Sequence, residues 1–183
     1  EQHRLRDAKT ELYGGALVEP FERPSRADMV IAAIRASSLG DILEPEGFPL
    51  DPVLAVHDAD FVAFLESAWS EWQRAGYSGE AIATTWPARR MQQRVPRQID
   101  GKLGYYALAA ETSISEGTWE AALVSKDVAL TGAQGLLNGE QGMFSLCRPP
   151  GHHAASDMFG GYCFLNNVAI AAQYLRDHGA QRI

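Results

Sequence analysis

Gly142-Met143-Phe144-Ser145-Leu146-Cys147-Arg148-Pro149-Pro150-Gly151-His152-His153-Ala154, followed by Gly160-Gly161-Tyr162-Cys163-Phe164-Leu165-Asn166-Asn167, is the stretch on which the fold is read. Residues 143–147 form a short apolar run bounded by Gly142 and Pro149, the pattern of a buried parallel strand. The two histidines follow its carboxyl end, on a loop whose prolines and glycines fix the backbone and let it approach another surface. Imidazole is the side chain best suited to moving protons near neutral pH, so the pair predicts a proton-transfer site. Asn166 or Asn167 then caps a helix through Val168, Ala169, Ile170, Ala172, Tyr174 and Leu175, closed by His178-Gly179. Arg182-Ile183 has the character of a strand beginning. Strand, loop, helix and strand make one βαβ crossover. The predicted fold class is therefore α/β, a parallel sheet flanked by helices, with ligands beyond the carboxyl ends of the strands.

Working outward, Pro24-Ser25 opens a helix with Met29, Ile31, Ala33 and Ile34 on its inward face, ending near Gly40. Asp51-Pro52, a cap followed by proline at the first helical position, starts a short helix through Val53, Leu54 and Val56. After His57-Asp58 a longer helix runs to about Ala75. Its Phe61, Phe64, Leu65, Ala68, Trp69 and Trp72 recur at spacings of three and four, a stripe that faces the core. Residues 76–101 keep no period of either kind; Gly76, Gly79, Trp86-Pro87, Arg89-Arg90, Arg94, Pro96 and Arg97 make them a long loop. Such loops inside a compact domain are usually functional or interface-forming, so a lid or dimer contact is expected; the competing expectation is a solvated excursion. A short helix over 104–110 and a clearer one capped by Thr118 follow, the second running to about Leu137, where Asn138-Gly139 ends it.

At 183 residues the chain predicts one domain of ordinary size. A net charge of −7 and a pI near 5.2 exclude a nucleic-acid surface, which needs clustered Lys and Arg, and favour a small cationic partner. Cys147 and Cys163 lie in apolar contexts without CxxC spacing and read as buried thiols. No apolar run approaches the roughly 20 residues of a membrane span, and the opening Glu1-Gln2-His3-Arg4 is no signal peptide, so a reducing, cytoplasmic setting is expected. A start without methionine and a stop at Gln181-Arg182-Ile183 predict that the chain is cut at both ends.

The run RPPGHHA with GGYCFLNN resembles the signature of the histone deacetylase and acetylpolyamine amidohydrolase superfamily, zinc hydrolases with the three-layer arginase-deacetylase α/β fold. Residues 4–14, 79–84, 110–112 and 117–122 resemble the bacterial acetylpolyamine amidohydrolases in particular. On this resemblance residues 1–183 are the amino-terminal portion of a single deacetylase domain, with 76–101 as an insertion that forms a homodimer and narrows the entrance. The resemblance implies zinc-dependent hydrolysis of N-acetyl amides of polyamines and diamines, releasing acetate and a free amine. By position, His153 is the general base and then acid, and His152 its electrostatic partner. Gly161 offers its carbonyl to the substrate amide, and Tyr162 forms an aromatic wall of the channel. Glu111, and more weakly Asp100, match acidic positions near a distal ammonium; Tyr13 matches the channel mouth.

The resemblance also places the zinc ligands, an Asp-x-His pair and a later Asp, together with an oxyanion-stabilising tyrosine, downstream of residue 183. No metal ligand is expected within this chain, which alone is expected to be inactive. His57 reads as a helix-junction residue, His178 as a C-terminal cap, and His3 as exposed near the channel loops. The alternatives are a protein-lysine deacetylase, or a non-catalytic fragment acting as a binding or assembly module. The latter is weakened because a half sheet with an exposed central edge is prone to aggregate.

Overall fold

The computed structural model describes residues 2–88 and 90–183; Glu1 of the polar opening and Arg89 of the long loop lie outside the described residues. After a 3-10 turn, Gln2–Leu5, a two-stranded antiparallel hairpin joins β1 (Glu11–Tyr13) to β2 (Ala16–Val18), with Glu11 opposite Val18. Six helices follow among the described residues: α1 (Pro24–Ser37), α2 (Asp51–Leu54), α3 (Ala59–Arg74), α4 (Ile99–Tyr106), α5 (Thr118–Leu137) and α6 (Asn167–Asp177).

The helix starts use local chemistry. Proline sits in the first turn of α1 and α2, where its missing N–H is one that a helix start leaves free anyway. Leu50, not Asp51, holds the cap position of α2. Gly117, at φ +74, precedes α5, and the Thr118 hydroxyl accepts a bond from the Ser115 N–H at 3.0 Å. Asn166 caps α6 by accepting from the Ala169 N–H at 3.1 Å. The inward face of α1 differs from expectation. Ala27 is buried and Ile31 and Ile34 half-buried, while Met29 and Ala33 are exposed. Positions 27, 31 and 34 repeat at four and three and share a face; a step of two residues turns a side chain about 200° away from it.

The α3 stripe packs as its spacing predicts: Phe61, Val62, Phe64, Leu65 and Ala68 are buried, with Trp69 and Trp72 leaning on them. α4 begins five residues before the expected 104 and ends at Tyr106. Two observations explain this. The Leu108 N–H donates to the Phe159 carbonyl (2.7 Å) and the Phe159 N–H to the Tyr106 carbonyl (2.8 Å), so a parallel bridge takes the chain out of the helix. And Gly104, the first residue of the expected helix, lies inside α4, where the backbone of Thr85 comes so close that a Cβ would overlap its carbonyl oxygen. Phe64 stacks on Tyr106 with centroids 4.6 Å apart, and Phe159 on Phe164 at 5.8 Å, so one aromatic core holds α3, α4 and the segment that leads into Gly160-Gly161.

The long loop is not a solvated excursion throughout. Ala81 is fully buried and bridges Ile114 through two backbone bonds of 2.8 and 2.9 Å, and Ala83 is buried beside it, between exposed stretches at 76–79, at 84–86 and, further on, at 90–95.

Residues 143–147 require a correction. They form no strand, and the expected parallel ladder and βαβ crossover are not present among the described residues, where the β1–β2 hairpin is the only sheet. A strand exists through inter-strand bonds, and no described segment lies beside this one to make them. One side is covered by α5: Ser145 Oγ donates to the Val128 carbonyl at 3.2 Å, Cys147 Sγ contacts the Ser125 carbonyl at 3.4 Å, and Ser145 and Met143 lie against Gly132 and Gly135. Phe144 is 71 % exposed. Arg182-Ile183 is likewise not in a strand. No helix among the described residues is long and apolar enough to cross a membrane.

Candidate active site

The loop carrying the histidines is held by buried polar groups on both sides. Pro149 offers its carbonyl to the Ser125 hydroxyl (2.7 Å) and to the Asn167 side-chain amide (3.2 Å), which also reaches Ser125 Oγ at 2.9 Å. A Cβ on Gly151 would stand 2.4 Å from the Asn167 nitrogen and 2.6 Å from the Leu165 carbonyl, so this glycine is set by close approach. The buried Arg148 guanidinium pairs with buried Glu22 at 2.8 Å and donates to the carbonyls of Arg6 (2.8 Å) and His3. Arg6 is itself buried over the Phe164 ring, 4.7 Å from its centroid, and burial brings its pKa down to about 10.

His57 completes this frame. It is 2 % exposed; its Nε2 accepts from the Asn166 N–H at 2.9 Å while Nδ1 faces the Ser156 carbonyl at 3.3 Å, an arrangement that fits the neutral ring protonated at Nδ1. Burial lowers its pKa, the carbonyl contact working against that. The residue read as a helix junction thus also ties the histidine loop to the cap of α6.

On this frame His152 and His153 are exposed between buried Gly151 and Ala154, their rings 4.3 Å apart and inclined at 51°. Gly161 lies against His153: at φ +55, a Cβ there would stand 2.4, 2.6 and 2.9 Å from the ring carbon Cδ2, Cγ and Cβ of His153. Its N–H donates to Glu111 Oε1 at 2.8 Å. Tyr162 adopts φ +66, a left-handed conformation that costs an ordinary residue roughly 1–2 kcal/mol. It is held there at both ends: its N–H donates to Thr112 Oγ1 at 2.8 Å and its hydroxyl to Glu11 Oε1 at 2.7 Å. Burial, and then the Glu11 bond, push the phenol well above its ordinary pKa, so it stays a neutral donor at physiological pH.

His152, His153, Gly161, Tyr162 and Glu111 therefore lie together in the structure. Glu111 differs in one respect: one of its oxygens is engaged by the Gly161 N–H and is a backbone anchor. Tyr13 is 63 % exposed and packs edge-on to Phe21 at 5.5 Å, on the same short strand as Glu11. Asp100 stands apart. It is exposed in the first turn of α4, accepts a bond from the Gly101 N–H at 2.8 Å, and has no bond to the histidine loop; Gly101 lines a surface cleft of about 290 Å³ within the long loop. His3 is half-buried instead of exposed, and His178 caps α6 with Nδ1 2.8 Å from the Tyr174 carbonyl. Cys147 and Cys163 are unbridged thiols, Cys163 buried and Cys147 partly so, and burial raises both pKa values.

Glu11 and Thr112 were not singled out from the sequence, and neither was Glu80. The Glu80 carboxylate accepts from the N–H groups of Lys9 (2.7 Å) and Thr10 (3.1 Å) and from the hydroxyls of Thr10 (2.8 Å) and Ser113 (3.1 Å). It clasps the segment entering β1 to the turn bearing Glu111 and Thr112. The only sequence signal for it was its place in the 79–84 run. Among the described residues no three His, Cys, Asp or Glu side chains converge on a point that could hold a metal ion, so the donor set of this chain does not by itself fit a three-ligand zinc site.

Residues 20–183 match the model of the histone deacetylase domain. The chain is 57 % identical over its whole length to acetylpolyamine amidohydrolase of Mycoplana ramosa and 49 % identical to acetylpolyamine amidohydrolase 2 of Pseudomonas aeruginosa, spanning 54 % and 53 % of those proteins. Its fold superimposes on the crystal structure of acetylpolyamine aminohydrolase from Burkholderia pseudomallei with a TM-score of 0.89 at 34 % identity, covering 96 % of this chain and 51 % of that one. An HDA15 HD domain shares the fold at a TM-score of 0.69 and 20 % identity. These likenesses bear out the partial α/β arginase-deacetylase fold, although the chain spans about half the length of the relatives it matches. By the extent of the domain match and the identity across its whole length, this chain belongs to the histone deacetylase domain family.

Proposed function

We propose that the full-length protein hydrolyses the N-acetyl amide of acetylated diamines and polyamines, and that this chain is the amino-terminal portion of its deacetylase domain. The observation that carries the reading is the contact of His153 with Gly161, whose backbone Glu111 anchors. In this reading His153 takes a proton from water as its oxygen adds to the acetyl carbon. The C–N bond then breaks and His153 returns the proton to the leaving nitrogen, giving acetate and amine. His152, its ring 4.3 Å from that of His153, adjusts the charge around it. Gly161 presents its carbonyl to the substrate N–H, and Tyr162 walls an aliphatic slot. The family is generally zinc-dependent, and we place that ion's ligands downstream of residue 183. The chain alone is then inactive.

The exposed part of the long loop, where Met91 is 71 % and Val95 45 % exposed, is where we place a contact between two copies that narrows the entrance. Two unbridged thiols fit a reducing, cytoplasmic setting. Tyr13 we keep at the channel mouth, near β1. Asp100 serves the substrate only if the loop of a second copy brings it there.

The full-length protein is expected to turn over acetylputrescine or acetylcadaverine faster than an acetyl-lysine peptide, read as acetate release. Better activity on the peptide would replace the polyamine reading by a protein-lysine deacetylase, and no activity on either would favour the binding or assembly module. Glu111→Gln keeps an oxygen for the Gly161 N–H but loses the charge. It is expected to lower kcat/KM for the cationic diamine by about tenfold, the scale of one bond to a charged group, and to leave a neutral acetamide of equal length nearly unchanged. Equal losses would confine Glu111 to anchoring the backbone.

A further inference from the structure

We propose that Glu11 is a positioning residue for this reaction, holding the Tyr162 ring in one orientation beside His153; the proposal rests on the deacetylase reading above. Glu11 opens β1 and is 2 % exposed, so it is not itself open to a substrate. Among the described residues it forms no ion pair. A buried carboxylate without a cation is costly unless donors satisfy it, and here there are two: the Phe21 N–H at 3.0 Å on one oxygen and the Tyr162 hydroxyl at 2.7 Å on the other. Phe21 N–H is fixed backbone. The phenol could swing, and a charged acceptor is the strongest partner that would stop it.

The other carboxylates near Tyr162 are Glu111 and Glu22, and both are engaged, with the Gly161 N–H and with Arg148. Neither is free to replace Glu11. Because Thr112 already pins the backbone of Tyr162, Glu11 supplies the second of two clamps, one at each end of the residue. The two reach it from 50 and 151 positions away in sequence and are drawn together by Glu80, which binds Thr10 next to Glu11 and Ser113 next to Thr112.

The test uses the full-length protein as wild type, Glu11→Ala, Glu11→Gln, Tyr162→Phe and the Glu11→Ala/Tyr162→Phe pair, on acetylputrescine and on a neutral acetamide of the same length. Glu11→Ala and Tyr162→Phe are each expected to lower kcat about 10- to 100-fold on both substrates, the scale of a misplaced catalytic wall. The double variant should be no worse than the poorer single, since both remove one interaction. Glu11→Gln, whose amide oxygen still accepts the phenol O–H, should recover most of the rate. Multiplying losses in the double variant, or a Glu11→Gln loss confined to the cationic substrate, would overturn the proposal. If Glu11→Ala does not fold, Tyr162→Phe at the wild-type kcat overturns it equally. Should the wild type turn over neither substrate, the deacetylase reading fails on its own. The clamp is then decided by crystallography of Glu11→Gln and wild type at pH 7, where a phenol bonded to residue 11 in both supports it and a phenol bonded elsewhere in wild type overturns it.

Discussion

His153→Ala in the full-length protein is expected to cut kcat for acetylputrescine by about 10²–10⁴-fold, the range over which a positioned general acid-base contributes, while zinc content and thermal midpoint stay at wild-type values. The separation follows from geometry. The His153 ring is exposed and has no side-chain hydrogen bond among the described residues, so its removal leaves no buried donor unpaired and opens no core cavity. The frame that shapes the loop is elsewhere, in Ser125, Asn167, Arg148 and His57, and none of these bonds passes through the imidazole. Kinetics on acetate release, elemental analysis for metal and a melting curve check the three parts. A variant that loses zinc together with activity would make His153 a ligand, and one that keeps most of its kcat would move the proton transfer to another group.

How far the sequence could be read follows the range of the interactions. The α3 stripe depends only on spacings of three and four within one helix, and Phe61, Phe64, Leu65 and Ala68 are buried as those spacings require. The end of α5 and the cap of α6 are equally local: Gly139 takes φ +104, and Asn166 reaches the Ala169 N–H three residues on. The histidine loop was legible because its members are neighbours in sequence. What escaped is what arrives from far away. Glu11 meets Tyr162 across 151 positions, Thr112 across 50, and Glu80 meets Thr10 across 70. Nothing in the residues flanking Glu11 distinguishes a buried acceptor from a solvated acid. α4 was misplaced for the same reason, since the expected helix begins at Gly104, which lies inside α4 with Thr85 against it. The apolar run 143–147 reads as a strand by composition, but a ladder is a property of two segments, and among the described residues this run pairs with no strand and is bonded to α5 instead.

Gly161→Ala is expected to be nearly as damaging as removing the imidazole, and for the opposite reason, because it adds an atom where there is no room. The new Cβ would be placed 2.4 Å from Cδ2 and 2.6 Å from Cγ of His153, distances at which one of the two must move. Gly161 cannot retreat easily: its N–H is fixed to Glu111 at 2.8 Å, and the next residue is clamped by Thr112 and Glu11. His153 is the freer partner, an exposed ring whose one close ring neighbour among the described residues is His152, so the ring is displaced. A shift of about 1 Å in a group that must meet a water and an amide nitrogen costs about 10²-fold in rate. Stability should fall less, by about 1–2 kcal/mol, because alanine at φ +55 pays the left-handed penalty once. The pairing of a large loss in kcat with a modest fall in denaturation midpoint is what distinguishes this steric argument from general unfolding. Gly161→Ala with wild-type kcat would show that the His153 ring is not needed where the structure puts it, and the assignment of proton transfer to that ring would fall with it.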